Sequence, residues 1–277
     1  MPLSVREGKR EPFKPTVGVP AYFYGTLRQF LQVIGNYLLS HLSTEEFVAL
    51  EHRLTHELRV AESFTFYKLA QDAYEHDEEL FLDLIDLFLF KYGENFDKFP
   101  SPIRNIGALE YLDSCLFDVD HEYRIDADKR RLVRRVDETV WAAYERVLSV
   151  EDEAAELIGS AWAKQYSRNP DFAGAWEDAR KAVEVLLKLV VSPKDKSATI
   201  SKMARVLRDN PGRFECSLRG TQQESPVLQF AHALDIIGYP PNHHGAGDVD
   251  SAQSATVVLQ AVTVVGWLRD GALRVIE

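Results

Sequence analysis

Residues 169–191 read NPDFAGAWEDARKAVEVLLKLVV, and this stretch sets the character of the chain. The pair Asn169-Pro170 is a helix start signal, because asparagine accepts hydrogen bonds from first-turn amides and proline suits the entry to a helix. Apolar residues then recur with helical spacing until Pro193 supplies a stop. The stretch therefore predicts a long helix in the C-terminal half of the chain.

Similar start and stop signals flank this helix. Ser225-Pro226 precedes VLQFAHALDIIGY, and Asp250 with Gln253 precedes the last long apolar stretch. Pro211-Gly212 marks a further stop. Together these signals predict about five helices between residues 149 and 268.

The N-terminal half also shows helical periodicity. Apolar residues three and four apart predict a helix over residues 22–42. Ser43 and Glu46 form a capping-box pattern, so a second helix should begin near Thr44. A third helix is predicted over residues 64–74, and a fourth follows Asp77 in DEELFLDLIDLFLFKY. The fourth is predicted to lie at the centre of the N-terminal core, because its acidic residues occupy only one narrow stripe. A further helix is predicted to start at Ser101-Pro102.

One convincing strand signal interrupts the helices. Residues 121–126 and 131–136 are β-compatible and flank a turn-rich segment, which predicts a small, exposed hairpin. The fold class is thus mainly α: an N-terminal helical domain, a small β-hairpin and a C-terminal helical bundle. The expected divisions are a flexible arm (1–18), a helical N-terminal domain with a sensing or regulatory role (19–118), the hairpin with a connecting helix (119–148), and the C-terminal domain (149–277).

Composition excludes several classes of protein. The chain has 277 residues, 45% of them apolar, and a net charge of −11, which is typical of a folded domain and disfavours a surface that binds nucleic acid all over. Cys115 and Cys216 stand too far apart in sequence for a CxxC unit and suit a reducing cytoplasm. Both long apolar stretches are broken by polar residues, so we expect a cytoplasmic protein without a membrane segment.

Few catalytic motifs are present. The chain has no GxGxxG, no GxxxxGK[ST] and no GxSxG, so neither nucleotide hydrolysis nor an α/β-hydrolase elbow is supported. His52 and His56 would share one helix face and could bind zinc with added carboxylates, or simply be surface histidines. The surface interpretation is favoured, and we expect no metal and no cofactor.

The run DKRRLVRR, residues 128–135, is the most basic in the chain. Strand alternation would place Arg131 and Arg135 on one side and Arg130 and Arg134 on the other. Two interpretations are open: the arginines grip phosphates, or they are solvated and neutralise neighbouring carboxylates.

The loop YPPNHHGAGDVD, residues 239–250, is the best candidate site. His243 and His244 can exchange a proton near neutral pH and directly precede a helix N-terminus, where an anion is favoured. Against this, Asp248 and Asp250 place negative charge there, and one of them would cap the helix. A surface loop without a role is the alternative.

The C-terminal region resembles abortive-infection C-terminal domains of actinobacterial and phage-borne proteins, which are related to the all-helical HEPN class. The resemblance covers about residues 149–271 and includes RLVRRVDETV just before them. It is carried by the stretch AWAKQYSRNPDFAGAWEDARKAVEVLLKLVVSPKDKSATISKMARVLRDNPGRF, with Arg168-Asn169-Pro170-Asp171, Lys181-Ala182-Val183-Glu184 and His244-Gly245 as its signature.

The resemblance implies phage defence by a cytoplasmic protein, a homodimer, and in active relatives a metal-independent ribonuclease with an Rx4–6H motif. It implies His244 as the base, and His243, Arg168, Arg180 or Lys181 as the cation. Phosphate contacts would come from Arg180 and Asn169 and, if the hairpin arginines grip phosphates, from Arg131 and Arg135. No histidine of this chain has an arginine five to seven positions upstream. The alternative is therefore a catalytically inactive binding or dimerisation module that senses a phage component, and the possible partners are RNA and a phage protein trigger.

Overall fold

The structure is a computed structural model. It describes residues 19, 21–57, 78–92, 99, 107–119, 121–128, 131–221, 223–238 and 249–276. Over these residues the chain is mainly helical, as predicted, with two small antiparallel strand pairs. It divides into two compact units, residues 1–135 and 136–277. The hairpin therefore belongs to the N-terminal unit, and the helix that follows it belongs to the C-terminal unit.

The N-terminal unit contains four described helices and the hairpin: α1 (Ala21–His41), α2 (Thr44–Glu57), α3 (Glu78–Tyr92), α4 (Ala108–Asp118), β1 (Tyr123–Ile125) and β2 (Leu132–Arg134). The predicted apolar stripe of α1 is buried, with Leu27 and Ile34 fully inaccessible. The predicted helix over residues 64–74 and the start signal at residues 101–102 lie outside the described residues. Within the described part, α4 begins after Gly107.

The predicted capping box at the start of α2 is confirmed. The Ser43 hydroxyl accepts from the Glu46 backbone N–H at 3.2 Å, and the Ser43 N–H donates to Glu46 Oε2 at 2.8 Å. These hydrogen bonds lower the pKa of Glu46. Two backbone donors that the helix leaves unsatisfied thereby gain partners.

Helix α3 is deeply buried in the N-terminal core, and its central position there stays a prediction from the sequence. Its buried residues, each at most 1% exposed, are Phe81, Leu82, Leu84, Ile85, Phe88 and Leu89. Asp86 is half-buried on the same helix, and its Oδ1 accepts a hydrogen bond from the backbone N–H of Leu132 at 2.5 Å. A carboxylate in an apolar helix thus fixes the second strand of the hairpin to the core.

The prediction that the hairpin is exposed is wrong. Leu132 and Val133 are both 0% exposed, although they lie on opposite faces of β2, and Asp126 is 3% exposed. Arg134 alone in β2 is exposed, and its guanidinium lies 5.9 Å from the ring centre of Tyr123. The basic run suggested exposure, but it also contains two apolar residues, Leu132 and Val133, that are fully buried.

The C-terminal unit contains six helices in its described part, five of them between residues 149 and 268 as predicted. They are α5 (Glu138–Leu148), α6 (Glu153–Tyr166), α7 (Phe172–Val191), α8 (Ile200–Asp209), α9 (Pro226–Ile237) and α10 (Ser251–Arg269). Each has a side-chain cap at its N-terminus, from Asp137, Asp152, Asp171, Thr199, Ser225 and Asp250 in turn. Such caps satisfy donors that the first turn leaves unpaired.

Helix α7 is the core helix of this unit and packs against α6, α8, α9 and α10. Leu187 is 0% exposed and Trp176 is 8% exposed, so both belong to the interior of a single chain. The start of α7 differs from its prediction, because Asp171 and not Asn169 supplies the cap, with Oδ1 accepting from the Gly174 N–H at 2.8 Å.

A second strand pair at the end of the chain has no counterpart in the sequence prediction. Strand β3 (Phe214–Cys216) pairs antiparallel with β4 (Leu273–Val275). Gly271, with φ of 70°, lies between α10 and β4 in the left-handed region that favours glycine. Helix α10 is long and apolar enough by composition to cross a membrane, but core helices pass the same test, and eight of its residues are buried in the unit.

The hydrogen bond from Leu132 to Asp86 should support the hairpin. We expect Asp86→Ala to lower the free energy of unfolding by about 1–3 kcal/mol, because it leaves a buried backbone donor without its acceptor. Hydrogen exchange of the hairpin amides and denaturant titration would measure this. Asp86→Asn retains a carbonyl acceptor and should lose less. The control is Asp113→Ala on α4, and equal behaviour of D86A and D113A would contradict the assignment.

Candidate functional site

The predicted catalytic histidines, His243 and His244, lie outside the described residues, in the segment 239–248. The chain on either side of this segment is well anchored. On the N-terminal side, Trp176 Nε1 donates to the carbonyl oxygens of Ile237 at 2.7 Å and of Gly238 at 3.0 Å. The end of α9 is thereby held against the first half of α7.

On the C-terminal side, the first turn of α10 is held by two side chains. Gln165 Nε2 donates to the Ser251 carbonyl at 3.1 Å, and the Ser254 hydroxyl donates to the Phe172 carbonyl at 2.9 Å. Gln165 belongs to the last turn of α6 and Phe172 is the first residue of α7. Both ends of the segment that carries the histidines are therefore fixed near the N-terminal half of α7.

Arg168 and Asn169 lie in the link between α6 and α7, next to these anchors. The Ser167 hydroxyl donates to the Asn169 carbonyl at 3.1 Å, and the Asp171 N–H donates to the Lys164 carbonyl at 2.9 Å. Arg168 is half-buried and Asn169 is exposed. These two predicted residues thus lie in the link whose flanking residues, Gln165 and Phe172, contact the first turn of α10.

Arg180 occupies a different environment from the one predicted. It is 7% exposed, and carboxylates surround it on its own helix. Its Nη1 donates to Glu184 Oε1 at 2.5 Å, while Nε and Nη2 donate to the two oxygens of Glu177 at 3.0 and 2.6 Å. This fork-like arrangement is the strongest form of arginine–carboxylate pairing. In this structure Arg180 neutralises one buried carboxylate, Glu184, and one partly exposed carboxylate, Glu177.

Glu184 has a second function in the same cluster. Its Oε1 also accepts the backbone N–H of Ile200, the first residue of α8, at 2.8 Å. Glu184 is 7% exposed, so its charge needs these partners. The carboxylate therefore joins α7 to the start of α8.

Lys181 is the exposed neighbour of this cluster. Its Nζ lies 3.5 Å from Glu177 Oε1, and about half of its side chain is accessible. Lys181 and Arg180 thus share the carboxylate of Glu177. The structure does not place Arg168 in that ion-pair cluster.

Arg131 and Arg135 belong to the N-terminal unit. Arg131 Nη2 pairs with Asp128 Oδ2 at 3.3 Å. Arg135 Nε donates to the Tyr123 carbonyl at 3.3 Å, and its guanidinium lies 5.5 Å from the ring centre of Phe117. Arg131 thus contacts a residue of its own hairpin, whereas Arg135 contacts both the hairpin and α4.

Two other groups could in principle act as nucleophiles or bases. Cys216 lines a cleft of about 390 Å³ together with Phe214 and Ile276, and partial burial raises the pKa of its thiol. Burial also raises the pKa of Tyr166, at the end of α6, to about 12. Both groups are therefore protonated at neutral pH, which makes them poor nucleophiles.

His52 and His56 are exposed on α2. The described residues contain no group of three or more His, Cys, Asp or Glu side chains that could hold a metal ion.

The two carboxylates that hold Arg180 were not among the site residues predicted from the sequence. Their spacing contains the signal, because Glu177 and Glu184 stand three before and four after Arg180, which places all three on one helix face. Burial of that face could not be read from the same spacing.

Comparisons with protein-family models, with curated proteins and with solved structures found no match to this chain.

Removing the buried cation should be costly. We expect Arg180→Ala to lower the free energy of unfolding by about 3–5 kcal/mol, because Glu184 would be left buried without its charge partner. Denaturant titration would measure the loss. Lys181→Ala, which removes a surface cation, should cost no more than about 1 kcal/mol. The double variant R180M/E184Q should regain part of the loss, and an R180A variant as stable as K181A would contradict the structural role.

The pair of Arg180 with Glu177 should also make stability depend on pH. Hydrogen bonding from Arg180 holds the pKa of Glu177 below its ordinary value of 4.5. A lowered carboxyl pKa adds stability above pH 4.5 that is lost as the pH falls through the folded-state pKa. Glu177→Gln should therefore cost at most about 1 kcal/mol at pH 7, given its partial exposure, and the difference should vanish in acid. Urea titrations across this range would test it, with Glu156→Gln as the exposed control, and a pH-independent difference would contradict it.

Proposed function

We propose that this protein acts in phage defence and that its C-terminal unit is a HEPN-like binding module that does not cleave RNA. The observation that carries the proposal is the state of Arg180. Its guanidinium is enclosed by Glu177 and Glu184, so it is not available to stabilise a developing charge on phosphate. Lys181 shares Glu177. Two of the four cations nominated for catalysis are thus already neutralised.

The defence role is supported by the resemblance of residues 149–271 to abortive-infection C-terminal domains. The proposal includes a homodimer in the cytoplasm and a phage component as the trigger, sensed through the N-terminal unit. No histidine has an arginine five to seven positions upstream, which also favours binding over catalysis.

A metal-independent ribonuclease is the second candidate, and one observation favours it. Both ends of the segment that carries His243 and His244 are fixed near the N-terminal half of α7, and the link that carries Arg168 and Asn169 leads directly into this helix. In that mechanism His244 would accept the proton of a ribose 2′-hydroxyl as it attacks the adjacent phosphate, and Arg168 would stabilise the charge. General-base help of this kind is worth about 10²- to 10⁴-fold in rate.

Incubation of purified full-length protein with labelled single-stranded RNA in the presence of EDTA separates the two candidates. We expect the RNA to stay intact on a denaturing gel, for the wild type and for His244→Ala alike. In cells, phage resistance should survive H243A/H244A, because the histidines are not needed for binding. Cleavage by the wild type that is lost in both H244A and Arg168→Ala would overturn the binding module in favour of the ribonuclease.

A further inference from the structure

A cluster of unneutralised cations lies where α7 passes into α8. Residues 186–205 carry five cations and one carboxylate in a chain whose net charge is −11. The cations, here named the lysine surface, are Lys188, Lys194, Lys196, Lys202 and Arg205. All except the half-buried Lys188 are exposed. The cluster differs from every site nominated above.

The fold brings these side chains together from three elements. The link 192–199 folds as two successive turns, in which the Asp195 N–H donates to the Ser192 carbonyl at 3.0 Å and the Ala198 N–H donates to the Asp195 carbonyl at 3.2 Å. The hydrogen bond from Ile200 to Glu184 then returns the chain to α7, one turn before Lys188. Lys188 therefore lies beside the link that carries Lys194 and Lys196.

Helix α8 extends the same surface. Its inner face is apolar, with Ile200, Met203, Ala204 and Leu207 buried. Lys202 and Arg205 are three residues apart on the exposed face and are therefore neighbours. The amphipathic pattern of α8 thus points its cations to solvent.

None of the four lysines forms an ion pair with a carboxylate in the part of the chain that the structure describes. Asp195 is the carboxylate among them, and its Oδ1 is already occupied by the Ser197 N–H at 2.9 Å and the Ser197 hydroxyl at 2.8 Å. Those two hydrogen bonds, with the charges of Lys202 and Lys188, lower the pKa of Asp195. Both lysines are thus close enough to act on this carboxylate, yet they remain unpaired.

The chemistry of this surface favours a phosphate backbone over a protein partner. Protein interfaces are enriched in aromatic residues and depleted of lysine, and residues 186–205 contain no aromatic side chain at all. Lysine binds phosphate as a flexible point charge and carries no base readout. Several unpaired lysines on one surface are the typical source of sequence-independent nucleic-acid binding.

We propose that the lysine surface binds the phosphodiester backbone of nucleic acid without regard to base sequence. This inference rests on the proposed binding function and names the class of its partner. RNA and DNA share the chemistry that is recognised, so duplexes of either kind should bind, and affinity should fall steeply with salt.

The test uses the full-length protein, labelled RNA and DNA duplexes of the same sequence, and fluorescence anisotropy in EDTA between about 50 and about 200 mM salt. The triple variant K194Q/K196Q/K202Q should bind about tenfold more weakly or worse, and the slope of log affinity against log salt should fall by about two to three.

The matched control is R146Q/R208Q/R274Q, which changes the net charge equally. Its arginines already pair with Asp270, Asp235 and Glu215, so their loss should leave the slope unchanged. Circular dichroism of both triple variants would establish that they fold.

Three results would overturn the inference: no binding by the wild type, equal loss in both triple variants, or lysine-dependent binding to vesicles containing phosphatidylserine without binding to nucleic acid. Each of these leaves the proposed binding module to be judged by the cleavage and phage assays. Conversely, metal-independent cleavage by the wild type would overturn the non-catalytic module and leave the lysine surface standing as a nucleic-acid contact.

Discussion

The C-terminal unit depends on the neutralisation of Arg180 inside its own core. A guanidinium cannot lose its proton in a protein, so a buried arginine needs carboxylates at hydrogen-bond distance. Glu177 and Glu184 supply them from the same helix, one turn to either side. Because all three groups belong to α7, their spacing alone brings them onto one face of that helix.

Glu184 extends this constraint from one helix to the next. The oxygen that accepts from Arg180 also accepts the first backbone N–H of α8, a donor that no residue within the helix can satisfy. This hydrogen bond holds the end of the link 192–199 against α7. The lysines of the link, Lys194 and Lys196, are exposed to solvent. The same cluster thus removes one cation from solvent and presents others to it.

Local features of the fold were predictable from the sequence, because they depend on residues close together in the chain. The capping box at Ser43, the caps at Ser225 and Asp250 and the stop before Pro193 all arise within one helical turn. Long-range contacts were not predictable. Asp86 contacts Leu132 across 46 residues, and β3 finds β4 at the far end of the unit. No periodicity signals either pairing, and the buried hairpin was misjudged for the same reason.

For the candidate site too, local spacing was predictable from the sequence and long-range burial was not. The spacing of Glu177, Arg180 and Glu184 is visible in the sequence, but whether that face meets solvent or other helices decides if Arg180 binds phosphate or holds the core. Lys188 and Lys202 are likewise too far apart in sequence to be recognised as one group.

The acidic net charge of the chain affects where a nucleic acid would approach the protein. A polyanion is repelled by a protein of net charge −11, so its approach is favoured only where the local sign is reversed. Under our proposal, the acidic charge of the chain would therefore favour docking at a basic area such as the junction of α7 and α8. In this way a small basic area suffices for one docking geometry, whereas a uniformly basic protein would bind in many.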